Sequence, residues 1–205
     1  FTPDRAGRVR VTTDAGGTRT TGHTTGGLAM TTTITGGGVL SGVQIVPNHD
    51  AHTRHVGTLV NVGGSPVYQS DFTYEPGSGR LLDVSLGVDS VHYVYRPNSN
   101  LIGEVISKHE GMPVLGNIRR YDALDRLDDT RHFISSFAGG TSLVASFDYE
   151  VDAMNRRTKT TLADGSWWHY EYGDRGELEV AEKRLASSTT PYAGQQFGQT
   201  HDHAG

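Results

Sequence analysis

The chain has 205 residues, of which 35% are hydrophobic, with 27 glycines, no cysteine and a formal net charge of −5. No stretch approaches the roughly 18 apolar residues of a membrane helix. A mildly negative chain has no electrostatic basis for binding a phosphate backbone. Without cysteine there is neither disulfide nor thiol catalysis, and the low apolar share suits a thin sheet better than a thick layered domain.

Taken in order, Val9 and Val11 alternate with Arg8 and Arg10 in a strand pattern, and Asp14-Ala15-Gly16-Gly17 is a turn. Thr-rich runs of strand length then alternate with Gly26-Gly27 and Gly36-Gly37-Gly38. Thr is β-branched and fits a half-wet pleated surface, whereas Gly punctuates it. Strands are predicted here, with a flexible low-complexity linker as the alternative. Further on, Leu82, Val84 and Leu86 share a face, Gly87-Val88-Asp89 turns the chain, and Val91, Tyr93 and Tyr95 alternate on the return. Pro97-Asn98-Ser99-Asn100 is a second turn. A strand over Leu101–Lys108 follows, then a turn near Glu110-Gly111 and a strand ending at Tyr121. Thr158, Thr160 and Leu162 alternate toward Asp164-Gly165, a type I′ turn signal. Beyond it Trp167, His169 and Glu171 alternate against Trp168, Tyr170 and Tyr172. Leu178, Ala181 and Leu185 leave a short helix over 177–186 as the alternative to a strand.

One stretch organises the rest: Tyr121-Asp122-Ala123-Leu124-Asp125-Arg126-Leu127. It runs aromatic, acid, two small or apolar residues, turn former, Arg, apolar. Variants are Phe72-Thr73-Tyr74-Glu75-Pro76-Gly77-Ser78-Gly79-Arg80, Val151-Asp152-Ala153-Met154-Asn155-Arg156 and Tyr172-Gly173-Asp174-Arg175-Gly176-Glu177. The chain opens on Phe1-Thr2-Pro3-Asp4-Arg5-Ala6-Gly7-Arg8 and closes on a segment containing Asp202. Each variant has strand chemistry on both sides of turn chemistry and predicts one tight antiparallel reversal. The marker positions Glu75, Arg96, Asp122, Asp152, Gly173 and Asp202 are 21, 26, 30, 21 and 29 residues apart. A self-similar period in the twenties is the signature of a repeat architecture. Asp50-Ala51-His52-Thr53-Arg54 keeps the acid and Arg of an eroded unit, and Thr25-Gly26-Gly27-Leu28 is a fainter one. The arginines beside these turns are placed to brace carbonyls or a neighbouring carboxylate. The repeated Tyr and Phe before each turn are expected to stack unit on unit.

On these residues the chain resembles the YD-repeat, or rearrangement-hotspot (Rhs), family, to which the teneurin shells are related. The match is densest over Phe72–Gly205, thinner before it, and present again at Phe1–Val9. The resemblance implies an all-β fold of consecutive antiparallel β-hairpin (YD) repeats forming a curved or spiralling sheet, part of a shell or solenoid. The motif reads as degenerate Thr/Gly-rich repeats over residues 1–71 and well-formed ones over 72–205, in one continuous repeat domain expected to be a fragment of a larger chain. Family members with toxins carry an Asp-Pro-x-Gly self-cleaving segment after the repeats; no Asp-Pro occurs here.

Several patterns invite a chemical reading. His49, His52 and His55 are a candidate metal cluster: in a strand 49 and 52 point to opposite faces, and in a turn they could converge. His201-Asp202-His203 supplies only two ligands on one face. The acids are scattered and mostly occupy the turn slot, which favours architecture over the paired carboxylates of glycoside cleavage. Gly36-Gly37-Gly38 lacks the Lys and helix of a phosphate loop. Trp167, Trp168 and Tyr170 are a candidate sugar platform, against the commoner role of aromatic strands as cross-strand ladder.

The expectation is therefore a non-enzymatic structural segment of a large secreted or cell-surface bacterial protein, extracellular in location. It would build a β-shell, stalk or filament that encloses or presents another domain. The alternative is an adhesion module that binds carbohydrate or a surface partner through the hairpin around Trp167. No cofactor, nucleic acid or membrane span is expected. The expected partners are flanking repeats of the parent chain, copies meeting at open strand edges, and a glycan or surface partner.

Overall fold

The computed structural model describes residues 1–134 and 142–199. Among the described residues there are seventeen strands and no helix. Strands pair antiparallel with their sequence neighbours, so the all-β consecutive-hairpin expectation holds.

The chain divides into two compact units. The first comprises residues 1–92 and 108–111. It holds β1 (Thr2–Pro3), β2 (Val9–Asp14), β3 (Gly17–His23), β4 (Ala29–Thr35), β5 (Val43–His49), β6 (His55–Val62), β7 (Ser65–Tyr74), β8 (Leu81–Leu86) and the start of β9 (Asp89–Tyr95). The Thr-rich stretch is thus strand, not linker. Its threonines face one another across β3 and β4, with Thr20 opposite Thr33 and Thr21 opposite Thr32. The Thr21 and Thr32 hydroxyls meet at 3.0 Å.

The second unit comprises residues 93–107 and 112–205. It holds most of β10 (Ile102–His109), then β11 (Met112–Tyr121), β12 (Leu127–Ile134), β13 (Leu143–Val151), β14 (Arg157–Leu162), β15 (Trp167–Tyr172), β16 (Leu178–Arg184) and β17 (Pro191–Gly198). Residues 178–184 are strand, which settles the helix alternative: Val180, Ala181 and Glu182 pair with Glu171, Tyr170 and His169 of β15.

Neither unit has a thick core. Ile34 and Ala181 are the buried hydrophobic residues, beside buried Ser70, Thr130, Ser146, Thr160 and Ser166. The register gives the reason. Thr160 lies between Tyr149 and Trp168, and Ala181 lies between Tyr170 and Phe197. In one layer, a small side chain is covered when large neighbours lean over it from both adjacent strands.

The repeated motif folds as a three-residue hairpin loop. In Asp122–Arg126 the Asp122 N–H donates to the Arg126 carbonyl at 2.9 Å, and the Asp125 N–H donates to the Asp122 carbonyl at 3.1 Å. Residue 125 has φ of +59°, and pairing slips by one residue at Tyr121. This is a type I turn closed by a left-handed residue in a G1 bulge. The same bonds recur at Asp4–Arg8, Thr24–Leu28, Asp50–Arg54, Asp152–Arg156 and Gly173–Glu177. Asp164-Gly165 departs from the type I′ expectation. Gly165 alone of the pair has positive φ, at +79°, and the Leu162 N–H donates to the Ser166 carbonyl, so this is the three-residue loop again. Asp164 explains it by accepting the Ser166 N–H, which draws the loop one residue wider.

The left-handed slot is filled by Gly7, Gly27 and Gly176, by Asp125 and Asn155, and at φ +64° by Thr53. A β-branched residue is strained there. Thr53→Gly is expected to stabilise the chain by about 1 kcal/mol in chemical denaturation.

Candidate functional site

The candidate site is the row of turns itself. Within each acid-bearing turn the carboxylate ties its own loop. Asp4 accepts the backbone N–H of Ala6 and Arg8 through Oδ1 and the Arg8 guanidinium through Oδ2 at 2.6 Å. Asp50 does the same with His52 and Arg54. Asp122 does so with Leu124 and Arg126, and Asp152 with Met154 and Arg156. The spacing of four residues places the Arg back over its own acid, so one side chain satisfies both the loop amides and the cation. Glu75, with a loop one residue longer, holds Arg80 at 2.7 Å and also accepts Ser78.

The Arg then reaches the next turn on the same edge. Arg8 Nη1 donates to the Thr24 carbonyl at 3.3 Å, Arg126 Nη1 to the Asp152 carbonyl at 3.4 Å and Arg156 Nη1 to the Gly173 carbonyl at 3.4 Å. Where an aromatic residue precedes the next turn, the guanidinium also lies over its ring. Arg54 is 4.6 Å from the Tyr74 centroid and Arg156 is 4.9 Å from that of Tyr172. The tyrosine answers. Tyr74 Oη donates to the His55 carbonyl at 2.7 Å, Tyr121 Oη to that of Ile102 at 2.9 Å and Tyr172 Oη to that of Arg157 at 2.8 Å. At Tyr74 and Tyr172 the junction is thus a two-way clasp between consecutive repeats. At both, the ring meets the Arg of the preceding turn, where ring-on-ring stacking was expected.

Arg96, which stands in the acid slot, reaches forward instead. It lies 5.4 Å from the Tyr121 ring centroid and donates to Asp125 at 2.8 Å. Gly173–Glu177 has glycine in the acid slot, and its Arg175 pairs with Glu177 at 3.9 Å instead; the Glu177 and Glu179 carboxylates crowd the space a side chain at Gly173 would take. Gly7, Gly79 and Gly176 supply positive φ. Asp202 lies outside the described residues, as does the His201-Asp202-His203 pattern.

The tied acids are held below the usual carboxylate range. Asp4 falls from 3.8 to about 2, chiefly through the Arg8 side chain, with burial opposing and the Arg8 and Ala6 amides assisting. Asp122 and Asp152 fall in the same direction, led by the Arg126 and Arg156 backbone N–H. A depressed carboxylate contributes stability that is complete above its unfolded value and lost as pH falls through its folded value. The unfolding temperature is therefore expected to drop as pH falls from about 4 toward 2, and the Asp122→Asn, Asp152→Asn double variant to show a shallower drop.

The candidate metal cluster does not converge. His49 and His55 share a face with ring centroids 5.6 Å apart, His55 packs on Phe72, and His55 Nε2 meets the Thr58 hydroxyl. His52 projects from the turn with 80% of its side chain exposed. Among the described residues no three His, Cys, Asp or Glu groups come together to hold a metal. The sugar platform is split by the strand's alternation. Trp167 lies on one face, between Lys159 at 5.2 Å and Arg184 at 5.0 Å. Trp168 and Tyr170 lie on the other, where Trp168 stacks on Phe197.

Consecutive antiparallel hairpins whose loops repeat one bonding scheme define a β-hairpin repeat array. No family model matches the sequence, and no curated protein matches it. Solved structures share the fold. The crystal structure of TcdB2-TccC3 matches with a TM-score of 0.67 at 15% identity, over 93% of this chain and 12% of that chain. The Photorhabdus luminescens Tc holotoxin pore matches with a TM-score of 0.65 at 13% identity, over 85% of this chain and 9% of that chain. This chain thus spans about a tenth of the length of those chains. Among its described residues no helix is long and apolar enough to cross a membrane.

Proposed function

We propose that this chain is a non-catalytic wall segment of a larger secreted or surface protein, its hairpins adding edge to edge to enclose or present another domain. The observation that carries this is the clasp. The patterned acids are bonded to their own loops, and Arg8, Arg96, Arg126 and Arg156 also to the next, so their hydrogen bonds are spent on architecture. The toxin-complex chains that share the fold support the reading, as does the thin, two-sided sheet. Flanking repeats of the parent chain are the natural partners for the outer strands, since bare edges invite aggregation.

Nearest-neighbour coupling makes a clear prediction, because repeat arrays sum unit and interface terms. Removing residues 178–205 should lower the denaturation midpoint while the remaining hairpins keep their β circular dichroism. In the parent chain, the neighbouring domain should resist protease while the repeats are intact and become sensitive when Arg126 and Arg156 are both replaced by Ala. A neighbouring domain equally sensitive in both chains would overturn the enclosing role.

A further inference from the structure

We propose that the second unit carries a binding groove for one ring of an anionic saccharide, on the face of β12–β15 opposite Trp167. The wall reading neither requires nor supplies this site. The groove has a volume of about 350 Å³ and runs beside Trp168 and Tyr170. Small-molecule sites are concave, largely aromatic or apolar, and carry a few placed polar groups.

The depression follows from the register. Thr160 lies directly between Tyr149 and Trp168, so a short side chain separates two large rings. One row along, Thr130, Phe147 and Leu162 stand side by side. Thr160 is 5% exposed, and its hydroxyl is buried without a hydrogen-bond partner. Thr160 is the covered floor of the depression, and the rings of Trp168 and Tyr170 line it, offering the apolar face of a sugar an aromatic surface.

Charge selects the class of sugar. None of the groove's lining residues carries a carboxylate, and Arg157 and His132 both line it. The Arg157 guanidinium lies 3.9 Å from the Tyr149 ring centroid, which holds the cation at the rim. Among the described residues Arg157 forms no ion pair. A guanidinium fixed on an aromatic face and free of carboxylate partners suits a sugar carboxylate. The residues fit a uronic-acid-type ring better than a neutral one.

The test is calorimetric titration of the 205-residue chain with trigalacturonate and with a neutral galactose trisaccharide. A ligand of this size on an open groove should bind the acidic probe with a dissociation constant on the order of 1 mM, and the neutral one more weakly. Trp168→Ala should weaken the acidic probe by roughly tenfold or more. Because Trp168 also stacks on Phe197, Arg157→Gln provides a second, milder test: it should remove the preference for the acidic probe and leave the circular dichroism unchanged. Trp167→Ala, on the opposite face, should bind as the parent does. Equal binding of the two probes, equal loss in Trp167→Ala, or binding of an unstructured peptide but of neither sugar would each overturn the proposal.

Discussion

Gly57→Ala is expected to destabilise the chain by about 1–3 kcal/mol, although it adds only one methyl group. Gly57 is buried in β6, between Asn48 of β5 and Asp71 of β7. Its φ is not in the left-handed region, so alanine meets no backbone objection there. The objection is contact. A Cβ at this position would stand 2.6 Å from the Ser70 carbonyl oxygen and 3.1 Å from the Asp71 carboxylate. The carboxylate swings away at little cost, but the carbonyl belongs to the paired strand and moves only with the ladder. Gly22→Ala is the internal control. It sits in β3 with ordinary φ, and its Cβ would meet the Thr31 carbonyl at 3.9 Å, a normal contact. It should be neutral or slightly stabilising, because alanine lowers the entropy of the unfolded chain. Urea denaturation of both variants checks the pair, and equal effects would mean that close approach is not what glycine provides at position 57.

Tyr74→Leu is expected to cost about 1–2 kcal/mol, the sum of one neutral hydrogen bond and one exposed cation–π contact. Tyr74 is half-buried, donates to the His55 carbonyl and supports Arg54 on its ring. Leucine keeps apolar bulk and removes both interactions. Tyr74→Phe should cost less, since the ring still faces Arg54 and only the hydroxyl is lost. A double-mutant cycle with Arg54→Met isolates the ring contact, with an expected coupling of about 0.5–1 kcal/mol. A coupling near zero would show that the clasp holds through its hydrogen bonds alone. The junction at Val151 is a natural comparison. There Arg126 reaches the Asp152 carbonyl and Asn155 but has no aromatic ring to cover. Arg126→Met should therefore show no comparable coupling with Val151→Leu.

The hairpins and their order were legible in the sequence because local chemistry decides them. A loop of acid, two free positions, a left-handed former and Arg carries its own hydrogen bonds, so Asp122–Arg126 closes the same way wherever it stands. Alternation carried the strands, including the Thr-rich ones and the opposite facing of Trp167 and Trp168. Relations between strands that are distant in sequence were not legible. That Arg96 in an acid slot does the work of a forward-reaching Arg depends on which turn lies next along the edge. The exchange of ring stacking for Arg on Tyr, the crowding at Gly57 and the hollow over Thr160 depend on register across two or more strands. A one-residue bulge resets that register at every repeat, and only the folded sheet adds those resets together.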